Sequence, residues 1–275
     1  MGRNPTHNVA YVFDLDKTIG YFTQIAIFLA GIEDYLGRKL TLKEFFKLLD
    51  IYPEIFRPDI FTIFKYLKTL KKKNKFVKVL IYTNNIGPKS WVHNIRKYIE
   101  NKIQYQLFNR TIAAWKVGST IYEKCRTTHN KTYKELLKCG RLKKNSKICF
   151  LDDQRHPDMI HKNVKYLYLY GYQRDILFET MIQRFLKSPL SKIIKKQSFH
   201  KVHFKTHIMD FSQNDPLGFR YIEKSYKKNY NKKYLLTQIK QFMRKEHYKN
   251  ITKKKKRILK MQKKQNKTRK VTISS

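Results

Sequence analysis

Short, densely apolar runs alternate along the chain with longer stretches in which apolar residues recur every three to four positions. VAYVF at 9–13, FVKVLIY at 76–82, KICFL at 147–151 and KYLYLY at 165–170 are rich in β-branched and aromatic side chains, and each predicts a buried strand. Between the first two runs, 23–49 reads as two short amphipathic helices, the second opened by a capping box from Thr41 to Glu44. Phe56-Arg57-Pro58-Asp59 introduces a third helix, with Pro58 suited to its first turn and Ile60, Phe61, Phe64, Leu67 and Leu70 at helical spacing. Lys71 to Lys75 reads as a charged loop. Gly87-Pro88 opens a helix that buries Trp91, Val92, Ile95 and Ile99. The segment 105–128 reads as irregular, with short strands expected at 105–109 and 111–116. A helix is expected from Asn130 to Cys139, stopped by Gly140. Strands separated by helices predict an α/β fold, a Rossmann-like parallel sheet with flanking helices.

Three of the predicted strands end on polar groups: Asp14 and Asp16, Thr83, and Asp152 with Asp153. Alternate residues of an extended chain share a side, so Asp14 and Asp16 emerge together. Adjacent carboxylates resist ionising unless a cation or hydrogen-bond donors compensate. An Asp-rich turn that caps the next helix would account for the first pair alone. It would not call for a second acidic pair at the end of another strand. Open parallel sheets bind ligands beyond the carboxyl ends of their strands, and two acidic pairs with a threonine there suit a metal-dependent phosphate site.

Charge adds a second theme. The formal net charge of +41 exceeds what solubility needs and points to a polyanionic partner. Residues 187–275 hold 27 Lys and Arg against 4 Asp and Glu, so that stretch supplies +23 of the total. It reads as a Lys-rich extension, separate from a domain at 1–186 that carries a small helical insert at about 23–50. Tyr221, Tyr226, Tyr230, Tyr234 and Tyr248 are interleaved with its basic residues, a pattern that suits nucleic acid through phosphate contacts and base stacking. An amphipathic helix near 234–262 with a solvated lysine face is the plainer reading, and the basic run 253–257 also suits a nuclear address. Abundant Lys, Asn, Ile and Tyr match the coding bias of an AT-rich genome, as in some large DNA viruses or protists. Three cysteines (Cys125, Cys139, Cys149) without a CxxC predict neither a disulfide framework nor a zinc knuckle, and a reducing intracellular setting. No signal-peptide pattern opens the chain, and the apolar run 25–32 is too short to cross a bilayer. A soluble, intracellular protein without membrane association is expected.

DLDKT at 14–18, a strand ending in Thr83, a helical lysine and LDD at 151–153 resemble the four motifs of haloacid-dehalogenase-type (HAD-like) hydrolases. Within that superfamily the chain resembles the phosphatases of the RNA polymerase C-terminal domain, the small NLI-interacting-factor-like ones included, and their counterparts in large DNA viruses. FRPDIFTIFKYLK at 56–68 and KELLKCG at 134–140 are similar to two further segments of that branch, and the resemblance spans about 8–172. Lys17 stands where the branch has Glu, and Thr83-Asn84-Asn85 where it has Thr-Ala-Ser. The stretch 23–50 replaces its hairpin insert. The resemblance implies a Mg²⁺-dependent phosphatase acting on phosphoserine or phosphothreonine of proteins. Asp14 would be the nucleophile, Asp16 the general acid and base, and Thr83 a phosphoryl-oxygen ligand. Lys134 would be the phosphate-binding lysine, with Lys131 as its rival one turn earlier. Asp14, Asp16 (through its carbonyl), Asp152 and Asp153 would hold the metal. His156 reads as a loop residue hydrogen-bonded to its surroundings. Two other readings stay open: a phosphatase of nucleic-acid ends, and a silent polyanion-binding protein on the same scaffold.

Overall fold

The computed structural model describes residues 8–194, 200–215 and 234–246. Its strands are β1 (Val9–Phe13), β2 (Val77–Tyr82), β3 (Arg110–Ile112), a hairpin of β4 (Lys116–Val117) and β5 (Thr120–Ile121), then β6 (Lys147–Asp152) and β7 (Val164–Tyr168). Five of them form one parallel sheet in the order β3-β2-β1-β6-β7. The α/β, Rossmann-like architecture expected from the periodicity is therefore present. Phe13 lies level with Ile81 on one side and Leu151 on the other. The polar groups that follow β1, β2 and β6 thus gather at one end of three neighbouring strands.

Strand residues divide between two faces, as the period of two requires. Ala10, Val12, Leu80, Tyr82, Ile148 and Phe150 pack with Leu136, Cys139 and Met159. Tyr11, Phe13, Val79, Ile81, Cys149 and Leu151 join a larger core on the other face. That core takes in α1 (Thr23–Leu36), α2 (Leu42–Ile51), α3 (Ile60–Lys73), α4 (Lys89–Lys102) and α6 (Phe178–Lys187). The Thr41–Glu44 capping box forms as expected at the start of α2.

Several boundaries differ from expectation. Pro58 lies ahead of α3 rather than in its first turn. The amide of Arg57 is bonded to the Ile19 carbonyl at 2.9 Å, and a turn closed by Ile60 N to Arg57 O at 3.2 Å follows before the helix begins. No strand forms at 105–109, because Tyr105 N folds back on the Glu100 carbonyl at the end of α4 and pairing with β2 begins only at Arg110. The short helix α5 (Tyr133–Cys139) starts three residues later than Asn130. It ends at Gly140 in an ordinary right-handed conformation, and Arg141 supplies the positive φ of 48°. Cys125 and Cys139 are joined by a disulfide, which the odd count of three cysteines without a CxxC did not lead one to expect. The pair forms because the segment after the β4–β5 hairpin returns beside the end of α5. Cys149 is a buried free thiol.

The boundary at 186/187 does not divide the packing. In α7 (His200–Asn214), Phe204 and Ile208 are buried in the larger core. Phe204 stacks on Phe185 at 5.0 Å and meets the edge of Tyr35 at 5.2 Å. Gly31 of α1 lets α7 approach, because a Cβ there would stand 3.0 Å from Ile208 Cδ1 and 3.2 Å from Phe211. The helix α8, residues 234–246, adds Leu235, Ile239 and Phe242 to the same core, with the Phe242 ring 5.8 Å from Tyr11. The run 253–257, the rest of the expected helix to 262, and Tyr221, Tyr226, Tyr230 and Tyr248 lie outside the described residues. Among the described residues no helix is long and apolar enough to cross a membrane.

If α7 is an integral part of the core, Ile208→Ala should cost about 2–5 kcal/mol. Lys205→Ala, at an exposed position of the same helix, should stay within about 0.5 kcal/mol. Urea unfolding of both variants checks this, and equally small effects would place α7 outside the cooperative unit.

Candidate active site at the carboxyl ends of the central strands

Asp14 follows β1 directly and is 7% exposed, its amide still bonded to the Leu151 carbonyl at 2.9 Å. Asp152 closes β6 and is 1% exposed. Between them stands the ammonium of Lys131, which donates to Asp14 Oδ1 at 2.5 Å and to Asp152 Oδ2 at 2.7 Å. The rings of Tyr82 and Phe150 flank that ammonium at 5.7 and 6.0 Å. The site lysine is therefore Lys131, while Lys134 is exposed on α5. The reason is the helix start. Thr132 is the N-cap and accepts from Glu135 N, so Lys131 precedes the helix and Lys134 lies inside it. Thr132-Tyr-Lys-Glu135 is a capping signature of the Thr-x-x-Glu type, and it was the signal that could have singled out Lys131.

A buried arginine sets the position of Lys131. Arg126 donates to the carbonyls of His129 and Asn130, just before the lysine, at 3.0 and 3.1 Å. It also donates to the Ala113 and Thr83 carbonyls at 2.8 and 3.3 Å, joining the lysine loop to the end of β2. Thr83 is buried, and its Oγ1 accepts from Asn85 N at 3.0 Å, which leaves the hydroxyl hydrogen to be donated. Asn85, which the sequence reading passed over, donates from Nδ2 to Asp16 Oδ2 at 2.8 Å.

The loop after β1 is held as firmly. Lys17 adopts a left-handed φ of 57°, a conformation that costs a non-glycine residue about 1–2 kcal/mol. Arg57, 2% exposed, anchors it by donating to the Lys17, Thr18 and Tyr170 carbonyls at 2.5, 2.6 and 2.8 Å. Thr18 Oγ1 accepts from Asp153 N and donates to Asp153 Oδ1, both at 3.1 Å, which locks the two acidic motifs together. His156 is bonded into its loop as expected, its amide donating to Tyr166 Oη at 3.2 Å, and its Nε2 lies 3.3 Å from Asp152 Oδ2.

Electrostatics follow from burial. Desolvation pushes Asp14 up to about 7, with Asp152 and Asp16 adding to the rise and Lys131 opposing it. Desolvation likewise raises Asp16 and Asp153. Burial works against the charged form of Asp152 too, but His156, Lys131 and the Gln154 amide together hold it below the usual carboxylate range. For Lys131, desolvation is outweighed by Asp14 and Asp152, so the ammonium persists above its ordinary value.

Carboxylate oxygens of Asp14, Asp152 and Asp153 lie within 4.8 Å of one another, and these three residues can hold a metal ion. Asp14 Oδ2 and Asp153 Oδ2 have no hydrogen-bond donor among the described residues. Anionic oxygens left without a donor beside a third carboxylate suit a cation. The Asp16 carboxylate is not in that group, since it is turned to Asn85. Asp14, Asp16, Thr83 and Lys131 open on one cleft of about 560 Å³, whose other walls include Phe22 just before α1, Ala26 and Leu29 of α1, and Ile86 and Trp91. No protein-family model, curated protein or solved structure matches the chain.

Replacing Lys131 by Met leaves two buried carboxylates facing each other and should cost about 3–5 kcal/mol. Lys134→Met should cost under about 0.5 kcal/mol. The Lys131→Met loss should be largest above pH 7, where Asp14 is ionised. It should shrink as pH falls, because a carboxyl whose folded pKa is raised stabilises the fold once it takes up its proton. Urea titrations across pH read both effects.

Proposed function

We propose that this protein is a phosphomonoester hydrolase of the HAD-like type that works through a phosphorylated Asp14, with phosphoserine or phosphothreonine of proteins, such as an RNA polymerase C-terminal domain, as substrate. The observation that carries the reading is the unequal treatment of the Asp14 carboxylate. One oxygen is held by a buried ammonium, the other has no donor among the described residues, and Asp14 lines the same cleft as Asp16 and Thr83. An oriented carboxylate oxygen can attack phosphorus. The new bond joins Asp14 Oδ2 to phosphorus, the bond to the leaving oxygen breaks, and Asp16, its pKa raised mainly by desolvation, supplies that oxygen's proton. Asp16 then takes a proton from water, the water oxygen attacks phosphorus, and Asp14 is released as a carboxylate with inorganic phosphate. Thr83 donates its hydroxyl hydrogen to a phosphoryl oxygen, and Lys131 offsets charge on Asp14 and on the phosphate. Asp14, Asp152 and Asp153 would hold Mg²⁺, for which hard oxygen donors are suited, and when bound it would neutralise phosphate charge.

The basic extension, with +23 of the +41, supports a second function for the same chain: retention near nucleic acid or another polyanion. That binding should weaken steeply as salt rises.

The reading is tested by turnover of a generic aryl phosphate with and without Mg²⁺. Asp14→Asn should lower turnover by roughly three orders of magnitude or more, with folding retained. Asp153→Ala should raise the Mg²⁺ concentration needed for half-maximal rate. A folded wild-type chain that hydrolyses no phosphomonoester at any Mg²⁺ concentration would leave only the polyanion-binding scaffold.

A further inference from the structure

A second hollow, of about 360 Å³, lies against the catalytic cleft, and Asn85 and Gly87 line both. It is walled by α4 through His93 and Arg96, by the edge strand β3 through Arg110 and Thr111, and by Tyr122. No carboxylate lines it. Two of its residues carry buried polar atoms without a partner: Arg110 Nε and Thr111 Oγ1. The carboxylate nearest to Arg110, Glu123 Oε1, is 3.9 Å from Nη2, beyond hydrogen-bond range. Arg96 is fixed by donating from Nη2 to the Phe108 carbonyl at 2.6 Å and from Nε to Glu100 at 3.4 Å, so its Nη1 has no protein acceptor among the described residues. His93 is held below its ordinary pKa by desolvation and then by the positive charges of Lys97 and Arg96.

A buried donor without an acceptor is costly to a fold, and Arg110 Nε is one. The Arg110 side chain is 33% exposed and its Nη2 is only loosely paired with Glu123, so the guanidinium can still take an oxyanion through parallel hydrogen bonds. We propose that this hollow is a second oxyanion subsite, which takes a phosphate carried by the same substrate a few residues along the chain from the phosphate in the catalytic cleft. The inference rests on the phosphatase reading for the first site. It names the substrate class more closely: multiply phosphorylated segments rather than isolated phosphoresidues.

The two sides of the cleft decide which polymer fits. On the α1 side the wall is apolar, with Phe22, Ala26 and Leu29. The charges at that wall, Glu33 and Lys39, are already paired at 2.7 Å. A nucleic-acid strand would lay its regular phosphates against that surface, where among the described lining residues the one cation, Lys39, is already paired with Glu33. A peptide can place an apolar side chain there and a phosphate on the Arg110 side.

The test uses the full-length chain in EDTA, so that binding is read without turnover, and fluorescently labelled peptides of equal net charge. Each carries two phosphoserines. In the near isomers the second lies two residues before or after the first, and in the distant isomer ten residues away. Generic attraction to a chain of charge +41 is the same for all. At least one near isomer should bind about tenfold more tightly than the distant one, as for one good charge-assisted pair. Arg110→Gln should bring the two within about twofold, and Thr111→Val should narrow the gap as a milder variant if Arg110→Gln unfolds. Equal binding of all isomers by the wild-type chain overturns the proposal. So does a preference that survives both substitutions, or an Arg110-dependent gain seen with an end-phosphorylated oligonucleotide and not with the peptides. Aryl-phosphate hydrolysis without isomer preference defeats this inference alone, whereas isomer preference without any hydrolysis defeats the catalytic reading of the first site.

Discussion

An ammonium placed between two buried carboxylates is the constraint on which the rest of this end of the molecule depends. Lys131 touches Asp14 and Asp152 at 2.5 and 2.7 Å in surroundings where each carboxylate alone would be driven to protonate. Two charges of one sign and one of the other, all desolvated, are tolerable only when geometry is tightly held. Much of the surrounding structure supplies that hold. Arg126 fixes the loop before Lys131 and the end of β2, Arg57 fixes the left-handed turn after β1, and Thr18 ties that turn to Asp153. Each of these groups is spent on backbone or carboxylate oxygens at the carboxyl ends of the strands.

The strands and their polar ends were readable from the chain because buried parallel strands are nearly continuous apolar runs, and a carboxylate directly after one stands out. The parallel order followed from helices between strands. What was not readable depended on long-range hydrogen bonds. The choice of Lys131 over Lys134 turns on where a seven-residue helix begins, and helical periodicity is too weak over so short a stretch to fix a start. A local sign did exist in Thr132 and Glu135. Asn85 gives no such sign: its value comes from reaching Asp16, 69 positions away in the chain. The Cys125–Cys139 pair, with Cα atoms 5.5 Å apart, likewise depends on a return of the chain that residue counting cannot supply.

Charge density was a poor guide to where packing ends. The stretch after 186 is dominated by lysine, yet Phe204, Ile208, Leu235, Ile239 and Phe242 enter the same core as α1 and β1. A few apolar residues at helical spacing are enough to dock a helix, and lysines can add to the packing through their stems, as Lys240 does over the Tyr66 ring with Nζ 5.6 Å from its centroid. Net charge speaks of partners, and apolar periodicity speaks of the fold.

The central claim is that Asp14 becomes phosphorylated during turnover, and chemical trapping tests it most directly. Borohydride reduces an aspartyl phosphate to homoserine, so the chain should be quenched with it during aryl-phosphate turnover and its peptides read by mass spectrometry. The account expects homoserine at position 14, only when substrate is present, and none in the Asp14→Asn chain. Continued turnover with an unmodified Asp14, or reduction at another aspartate such as Asp16, would contradict it.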